Sequence, residues 1–232
     1  MWVAVNNIIK RVFDIVSATL ALVFLSPVML VCALWIKHDS EGPVLFRQDR
    51  LTKNGRIFKM LKFRSMVQNA EQMGTGLFNY ENDPRVTRSG RFLRNHSLDE
   101  LPQLWNIVKG DMSVVGPRPC VSYELGDYAT LNSRFKKRFE VVAGLTGYAQ
   151  IQGRNELPWD VKADFDGQYI DLYRRWGVLL DLYIILCTIG GVFRQKDIYE
   201  NKQGNGLSDE ESAELANDAV IRMAHEYVPE RS

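Results

Sequence analysis

The sequence predicts a mainly helical α/β protein that meets a membrane through its N-terminal helix. Three observations carry that reading. Val12–Ile36 is apolar on nearly all faces, Asn54-Gly55 separates two short runs in which apolar and basic residues alternate, and later segments repeat apolar residues at helical spacing. At 232 residues the chain has room for one good core with a small appendage.

The N-terminal run reads VFDIVSATLALVFLSPVMLVCALWI. As a straight helix it would reach roughly 37 Å, enough for a bilayer core of ~30 Å. It is too long for a signal peptide and lacks a small-residue cleavage pattern. Pro27 sits near its middle, removes one backbone donor and opposes the carbonyl of Val23, which Ser26 could satisfy. Lys10 and Arg11 precede the run, and Lys37 and further cations follow it, which favours both ends on the cytoplasmic side. Charge and proline together leave two arrangements open: a helix broken at Ser26-Pro27 that enters one leaflet and returns, and a spanning helix with a tolerated kink. A buried helix of a soluble core fits the length and all-round apolarity poorly.

Pro43–Met66 reads as a β-hairpin turning at Asn54-Gly55. Val67–Pro84 reads as a short helix followed by a loop. Arg85, Arg88, Arg91 and Arg94 recur every third residue, so a helix there would present one basic face, to phosphate or simply to solvent and lipid headgroups. Tyr123–Phe139 reads as a helix with a basic end. Asp160–Trp176 carries Phe165, Tyr169, Leu172, Tyr173 and Trp176 at helical spacing, a stripe suited equally to a core and to a membrane interface. Val178–Phe193 is apolar, short for a span, and contains Asp181. Asn201–Gly206 reads as a linker before an acidic helix, capped by Ser208 and Glu211. Its stripe of Leu215, Ala219, Met223 and Tyr227 would dock on its own protein or on a second copy, so a homodimer is possible.

The net charge of +1 conceals a strongly basic stretch, Arg47–Arg64, and an acidic C-terminal end. The first suits phosphates or anionic lipids. Scattered Cys32, Cys120 and Cys187 and isolated His38, His96 and His225 argue against a zinc site, a disulfide framework and a Ser-His-Asp triad. A Walker loop, a dinucleotide fingerprint and an HExxH motif are all missing from the sequence.

The chemistry concentrates in RNHSLDELPQLWNIVKGDMSVVGPRP, Arg94–Pro119. Asp99 and Glu100 precede an apolar helical run and fall in or just before its first turn. A capping box from Ser97 to Glu100 explains them blandly, and Asp99 as the cap itself would place Pro102 within the tolerated first turn. A carboxylate at such a position is also a good nucleophile toward phosphorus, because the helix dipole keeps it ionised and free N–H groups attract phosphate oxygens. Its obstacle is charge repulsion, which a divalent cation and arginines relieve. Arg94, Lys109 and Arg118 are the nearby cations. Gly144, Gly147 and Gly153 permit tight turns and close approach to a ligand, with Arg154 and Asn155 in reach of a pyrophosphate or base.

These segments together resemble the bacterial sugar transferases, the monotopic phosphoglycosyl transferases. The matching residues are Lys10-Arg11-x-x-Asp14, Ser26-Pro27, Lys62-Phe63-Arg64-Ser65-Met66, Ser97-Leu98-Asp99-Glu100-Leu101-Pro102-Gln103, Lys109-Gly110-Asp111-Met112-Ser113, Gly116-Pro117-Arg118-Pro119 and Gly147-x-Ala149-Gln150-x-x-Gly153-Arg154-Asn155. They run in family order from about Asn7 to about Lys196. The resemblance implies a re-entrant helix (1–38) broken at Ser26-Pro27. It implies a small cytoplasmic α/β catalytic domain (39–196) with interfacial amphipathic helices, seated on the bacterial inner membrane, and it leaves 197–232 without an inherited role.

It further implies a UDP-sugar donor, an undecaprenyl phosphate acceptor and a ping-pong reaction with Mg2+. Asp99 would be the nucleophile and Glu100 its partner for metal or proton. Arg94, Arg118, Gln150, Arg154, Lys62 and Arg64 would bind substrate. Two other functions fit less of the sequence. A membrane-docked scaffold would need none of Asp99, Glu100, Arg94 and Arg118, and a nucleic-acid binder would leave the apolar segment unexplained.

Overall fold

The structure is a computed structural model that describes residues 2–73, 82–153 and 157–193. In chain order its elements are α1 (Trp2–Asp39), β1 (Leu45–Leu51), β2 (Ile57–Phe63), α2 (Arg88–Asn95), α3 (Gln103–Lys109), β3 (Ser113–Val115), α4 (Ser133–Lys137), β4 (Gly144–Thr146), α5 (Tyr148–Gly153), α6 (Trp159–Trp176) and α7 (Val178–Phe193). The mainly helical reading is right. The expected linker and acidic helix lie outside the described residues.

Helix α1 runs uninterrupted through Pro27. The break expected at Ser26-Pro27 is therefore absent from the secondary structure, and the reason is local. The Ser26 hydroxyl donates to the Val23 carbonyl at 2.8 Å, the acceptor that proline leaves without an N–H. One face of α1 packs on the rest of the chain from end to end. Near its start, Arg11 donates to the Ile107 and Val108 carbonyls at the end of α3, and Asp14 accepts the Val114 N–H at 2.9 Å. Ala18, Ala21, Leu22 and Leu25 meet Phe58 and Met60 of β2 and Leu104 and Ile107 of α3. Cys32 and Ile36 meet Phe63 and Leu93, and Asp39 accepts the Ser89 N–H at 2.8 Å. The opposite face exposes Val12, Val16, Leu20, Val23, Phe24, Val31 and Leu34. So large an apolar strip is not left to water. Among the described residues α1 is the one helix long and apolar enough to cross a membrane.

The hairpin forms as expected, β1 antiparallel to β2, with Asn54 and Gly55 at φ of 57° and 71°. Positive φ at two successive turn residues is what Asn-Gly supplies without strain. The outer edge of β2 is completed by a side chain. Asn106 of α3 accepts the Leu61 N–H and donates to the Lys59 carbonyl, both at 2.9 Å.

The parallel pair of β3 and β4 was not anticipated, because three-residue strands carry no periodic signal. It also revises the reading of the glycines. A Cβ on Gly144 would stand 2.1 Å from the Gly116 nitrogen, and one on Gly147 2.2 Å from the Gly116 carbonyl oxygen. These glycines let two backbone segments touch; no ligand approach is needed to explain them.

Two helical expectations are corrected and a third is made specific. Within Tyr123–Phe139 the α-helix is confined to α4. Gly126 has φ of 75°, and the Asp127 and Asn132 side chains accept the N–H groups of Ala129 and Phe135, so local side-chain bonds divide the segment. The short helix expected early in Val67–Pro84 is a single 3-10 turn, Ala70–Gln72. Arg85 is not on the basic helix. It is buried, pairs with both carboxylate oxygens of Asp83 and donates to the Ala70 and Met73 carbonyls, and α2 starts after it with Thr87 capping Gly90.

On α6 the core alternative is right for Tyr169 and Tyr173, which pack with Val115 and Ile184, while Trp176 faces outward. Asp181 of α7 is buried where it accepts from Lys10 Nζ at 2.6 Å and the Tyr169 hydroxyl at 2.8 Å, which accounts for an acid in an apolar helix.

Replacing Asn106 with Leu would leave a strand N–H and a carbonyl without partners in a buried setting. The expected cost is about 2–4 kcal/mol. Thermal melting of the purified protein checks it, and an unchanged midpoint would refute the bridging role.

Candidate active site

Asp99 and Glu100 occupy a separate 3-10 turn, Leu98–Glu100, between α2 and α3. Neither Ser97 nor Asp99 caps α3. Ser97 adopts φ of 55°, and Pro102 stands immediately before the helix. The chain thus spends Leu101 and Pro102 leaving one turn and entering the next, which the continuous-helix reading did not allow for. The leucines on either side of the acids, Leu98 and Leu101, pack inward against Cys32, Ile36, Phe63 and Leu93. They fix the turn to α1 and β2.

Three elements bring cations to it. Lys62 comes from β2, Arg94 from the last turn of α2, and Arg118 from the loop after β3. Glu100 Oε1 accepts from Lys62 Nζ at 3.2 Å and from Arg118 Nη2 at 2.7 Å. Arg94 Nε donates to the Ser65 hydroxyl at 2.9 Å.

The two carboxyls experience opposite fields. Burial opposes the Glu100 charge, but Arg118 and Lys62 outweigh it and hold the carboxyl well below the usual range. Burial pushes Asp99 upward, Glu100 adds to that, and the charges of Lys62, Arg94 and Arg118 only partly offset the two. The helix dipole does not therefore hold Asp99 low, as the sequence suggested; α3 has only seven residues and starts beyond the turn. Burial likewise draws Lys62 downward against the pull of Glu100. Arg118 is raised by Glu100.

The structure brings Lys62, Arg94, Asp99, Glu100 and Arg118 together and leaves others elsewhere. Arg64 is turned away. Its guanidinium donates to the Ser40 carbonyl at 2.7 Å, to the Ser40 hydroxyl at 3.0 Å and to the Glu41 carbonyl, which closes the end of α1. Strand β2 ends at Phe63, so the alternation that would set Arg64 beside Lys62 no longer applies. Gln150 lies on α5 and donates to the Leu145 carbonyl at 3.2 Å rather than to the acidic pair. Arg154 lies outside the described residues. Lys109 stands at the far end of α3, 3.7 Å from Asp111.

Sequence reasoning missed Arg50, which shares a face of the hairpin with Lys62 and hydrogen-bonds to the Arg118 loop. The spacing Gln48-x-Arg50 within a strand was the available signal.

The donor set suits a hard divalent cation. Asp99 accepts no hydrogen bond from the described residues, and Glu100 uses only Oε1. Among the described residues no three His, Cys, Asp or Glu could hold a metal. Two carboxylates that leave the other positions to phosphate oxygens and water match the habit of Mg2+.

The profile of the family described as "Bacterial sugar transferase" matches residues 5–195. The chain belongs to that family. It is 43% identical over 201 residues to the UDP-glucose:undecaprenyl-phosphate glucose-1-phosphate transferase of Escherichia coli (strain K12), covering 84% of this chain and 42% of that protein. It is 36% identical over 208 residues to the UDP-galactose-lipid carrier transferase of Erwinia amylovora, with the same two shares of 84% and 42%. It is 39% identical over 209 residues to the exopolysaccharide production protein ExoY of Sinorhizobium fredii, covering 84% of this chain and 90% of ExoY. The chain thus spans about two fifths of the length of the first two relatives and nearly all of the third.

Arg64→Met removes a charged donor from the end of α1, at about 1.5–3 kcal/mol. The melting temperature should fall by roughly 5–10 °C. Lys62→Met, which takes away a charge that burial disfavours, should cause no comparable fall. Equal losses would mean that Lys62 too is chiefly structural.

Proposed function

We propose that this family member transfers a sugar-1-phosphate from a UDP-sugar to undecaprenyl phosphate and releases UMP. The donor and acceptor classes follow the names of the relatives. The single observation that carries the mechanism is a buried Asp99, without a hydrogen-bond partner among the described residues, in the field of Lys62, Arg94 and Arg118.

An Asp99 carboxylate oxygen attacks the β-phosphorus of the UDP-sugar. The bond from that phosphorus to the bridging oxygen breaks, and UMP departs with the electron pair. The phosphosugar is left on Asp99 as an acyl phosphate. An oxygen of the lipid phosphate then attacks the same phosphorus, and the aspartyl oxygen leaves as a carboxylate.

Arg94, Arg118 and Lys62 bind the phosphate oxygens and stabilise the charge that spreads over them in the transition state. Glu100, held ionised, keeps Lys62 and Arg118 aimed at the turn. Asp99 and Glu100 would hold the Mg2+, which supplies neutralisation of the pyrophosphate charge facing the nucleophile. The elevated affinity of Asp99 for protons is the cost of a desolvated nucleophile, and the three cations keep that cost bounded.

The membrane arrangement follows the same residues. Leu98 and Leu101 join the acidic turn to α1, whose outer face is apolar, which supports delivery of a lipid phosphate to Asp99 at headgroup depth. Both ends of α1 bond to one domain, through Arg11 and Asp14 at the start and Asp39 at the end. That supports a monotopic placement on the cytoplasmic face of the inner membrane, and a role in the first lipid-linked step of glycan assembly.

The decisive assay is UMP release by the protein in nanodiscs with magnesium and a panel including UDP-glucose and UDP-galactose, with and without undecaprenyl phosphate. Lipid-dependent release is expected, with Asp99→Asn reducing it on the order of 10⁴-fold or more. Lys62→Met should cost about 100-fold. Chelation should stop release and added magnesium restore it. Without acceptor, radiolabelled sugar phosphate should remain on wild-type protein and be missing from Asp99→Asn. Folded protein that releases no UMP from any donor would favour a non-catalytic scaffold instead.

A further inference from the structure

The loop that carries Arg118 is held in an unusual way. Pro117 and Pro119 have no N–H, so the loop depends on its carbonyls for attachment. Four consecutive carbonyls are each taken by a donor. Pro117 accepts from the Gly144 N–H at 2.9 Å, and Cys120 accepts from the Leu51 N–H at 3.0 Å. Between them the donors are side chains. Arg138 Nη2 donates to the Arg118 carbonyl at 2.6 Å, and Arg50 Nη1 donates to the Pro119 carbonyl at 2.9 Å.

Each guanidinium is itself oriented. Arg50 Nε donates to Gln48 Oε1 at 2.8 Å, and the Gln48 amide donates onward to Glu71. Arg138 pairs with buried Asp166 at 3.1 Å and lies 4.9 Å from the centre of the Trp159 ring. Neither Arg50 nor Arg138 bonds to Asp99 or Glu100. They grip the two successive carbonyls that follow the Cα whose side chain does bond to Glu100.

We propose that Arg50 and Arg138 are positioning residues for the transfer reaction, acting through the Pro119 and Arg118 carbonyls to hold the Arg118 guanidinium on Glu100. The inference rests on the reading of Arg118 as a phosphate-binding group. Donors on two successive carbonyls fix the adjoining peptide units in orientation as well as in place, and a transferase that works mainly by aligning phosphate charges is sensitive to shifts of about 1 Å. Lysine would not substitute at position 50, because one nitrogen cannot bond the Gln48 amide oxygen and the Pro119 carbonyl with the fixed fork of a guanidinium.

Arg50 is the residue to test, since Arg138 is part of a buried ion pair whose loss endangers folding. Arg50→Met and Arg50→Lys should each lower kcat for UMP release by about 10–100-fold, with KM for the UDP-sugar changed less than about 3-fold. In an Arg118→Lys background the same changes should cost less than about 2-fold more, because residues that act through one another are non-additive. Gln48→Leu, which only releases the orientation of Arg50, should give a smaller loss with the same non-additivity, and serves if Arg50→Met melts early.

A second readout needs no turnover. Arg118 has 39% of its side chain exposed, so an arginine-specific reagent can reach it. Mass spectrometry should find it modified several-fold faster in Arg50→Met than in wild type. Equal losses in both backgrounds, or an unchanged Arg118 modification rate, would overturn the positioning role. A wild-type protein that releases no UMP while Arg118 still reacts faster in Arg50→Met would sink the proposed reaction and leave the clamp standing.

Discussion

Lys62 and Arg118 reach Glu100 from two unrelated parts of the chain, and both bond to one oxygen of its carboxylate. Two cations so close, in a setting that burial makes unfavourable for charge, would separate without an anion between them. Glu100 is therefore the constraint on which the site depends. It joins the hairpin to the loop after β3, and by satisfying both cations it leaves the neighbouring carboxyl, Asp99, in their field without being tied to either. Adjacent acids in one turn come to sit in opposite fields because one of them is occupied.

The surrounding fold serves the placement of that turn. Asn106 fixes β2, and so Lys62, to the helix that follows the acids. Leu98 and Leu101 seat the turn on α1. At its other end α1 is tied by the Lys10-Arg11-x-x-Asp14 group to the ends of α3 and β3 and to Asp181 of α7. Polar residues at the head of an apolar helix look like membrane-flanking charges from sequence. In the fold they are also the bolts that attach the helix to its domain.

The parts of this arrangement with strong local causes were legible in advance. Asn54-Gly55 defined the hairpin, the long apolar run defined α1, and the convergence of motifs singled out Asp99, Glu100, Arg94 and Arg118. What escaped was whatever depended on distant backbone. Ser97 and Glu100 match a capping pattern, yet Pro102 and the packing of Leu101 separate their turn from α3. Arg64 shares a motif with Lys62, yet the strand ends between them and sends one to the site and the other to α1. The glycines at 144 and 147 look like ligand-binding turns until their backbones are seen in contact with that of Gly116. Arg50 and Arg138 escaped because the partners that tie them to the Arg118 loop are backbone carbonyls, which every residue possesses; only the Gln48-x-Arg50 spacing left a trace of one of them in the sequence.

The side chain of Asn106 has one more consequence. It occupies the outer edge of β2, while the opposite edge, along β1, is taken by Cys120 and Ser122 through the Leu51 N–H and the Asp49 carbonyl. A two-stranded ribbon with free edges is an invitation to strand exchange and stacking between molecules. With a donor and an acceptor consumed on each flank, this ribbon offers a neighbouring molecule a shortened template for β-addition. For a protein concentrated in the plane of a membrane, where encounters are frequent, that leaves less strand edge to share between neighbours.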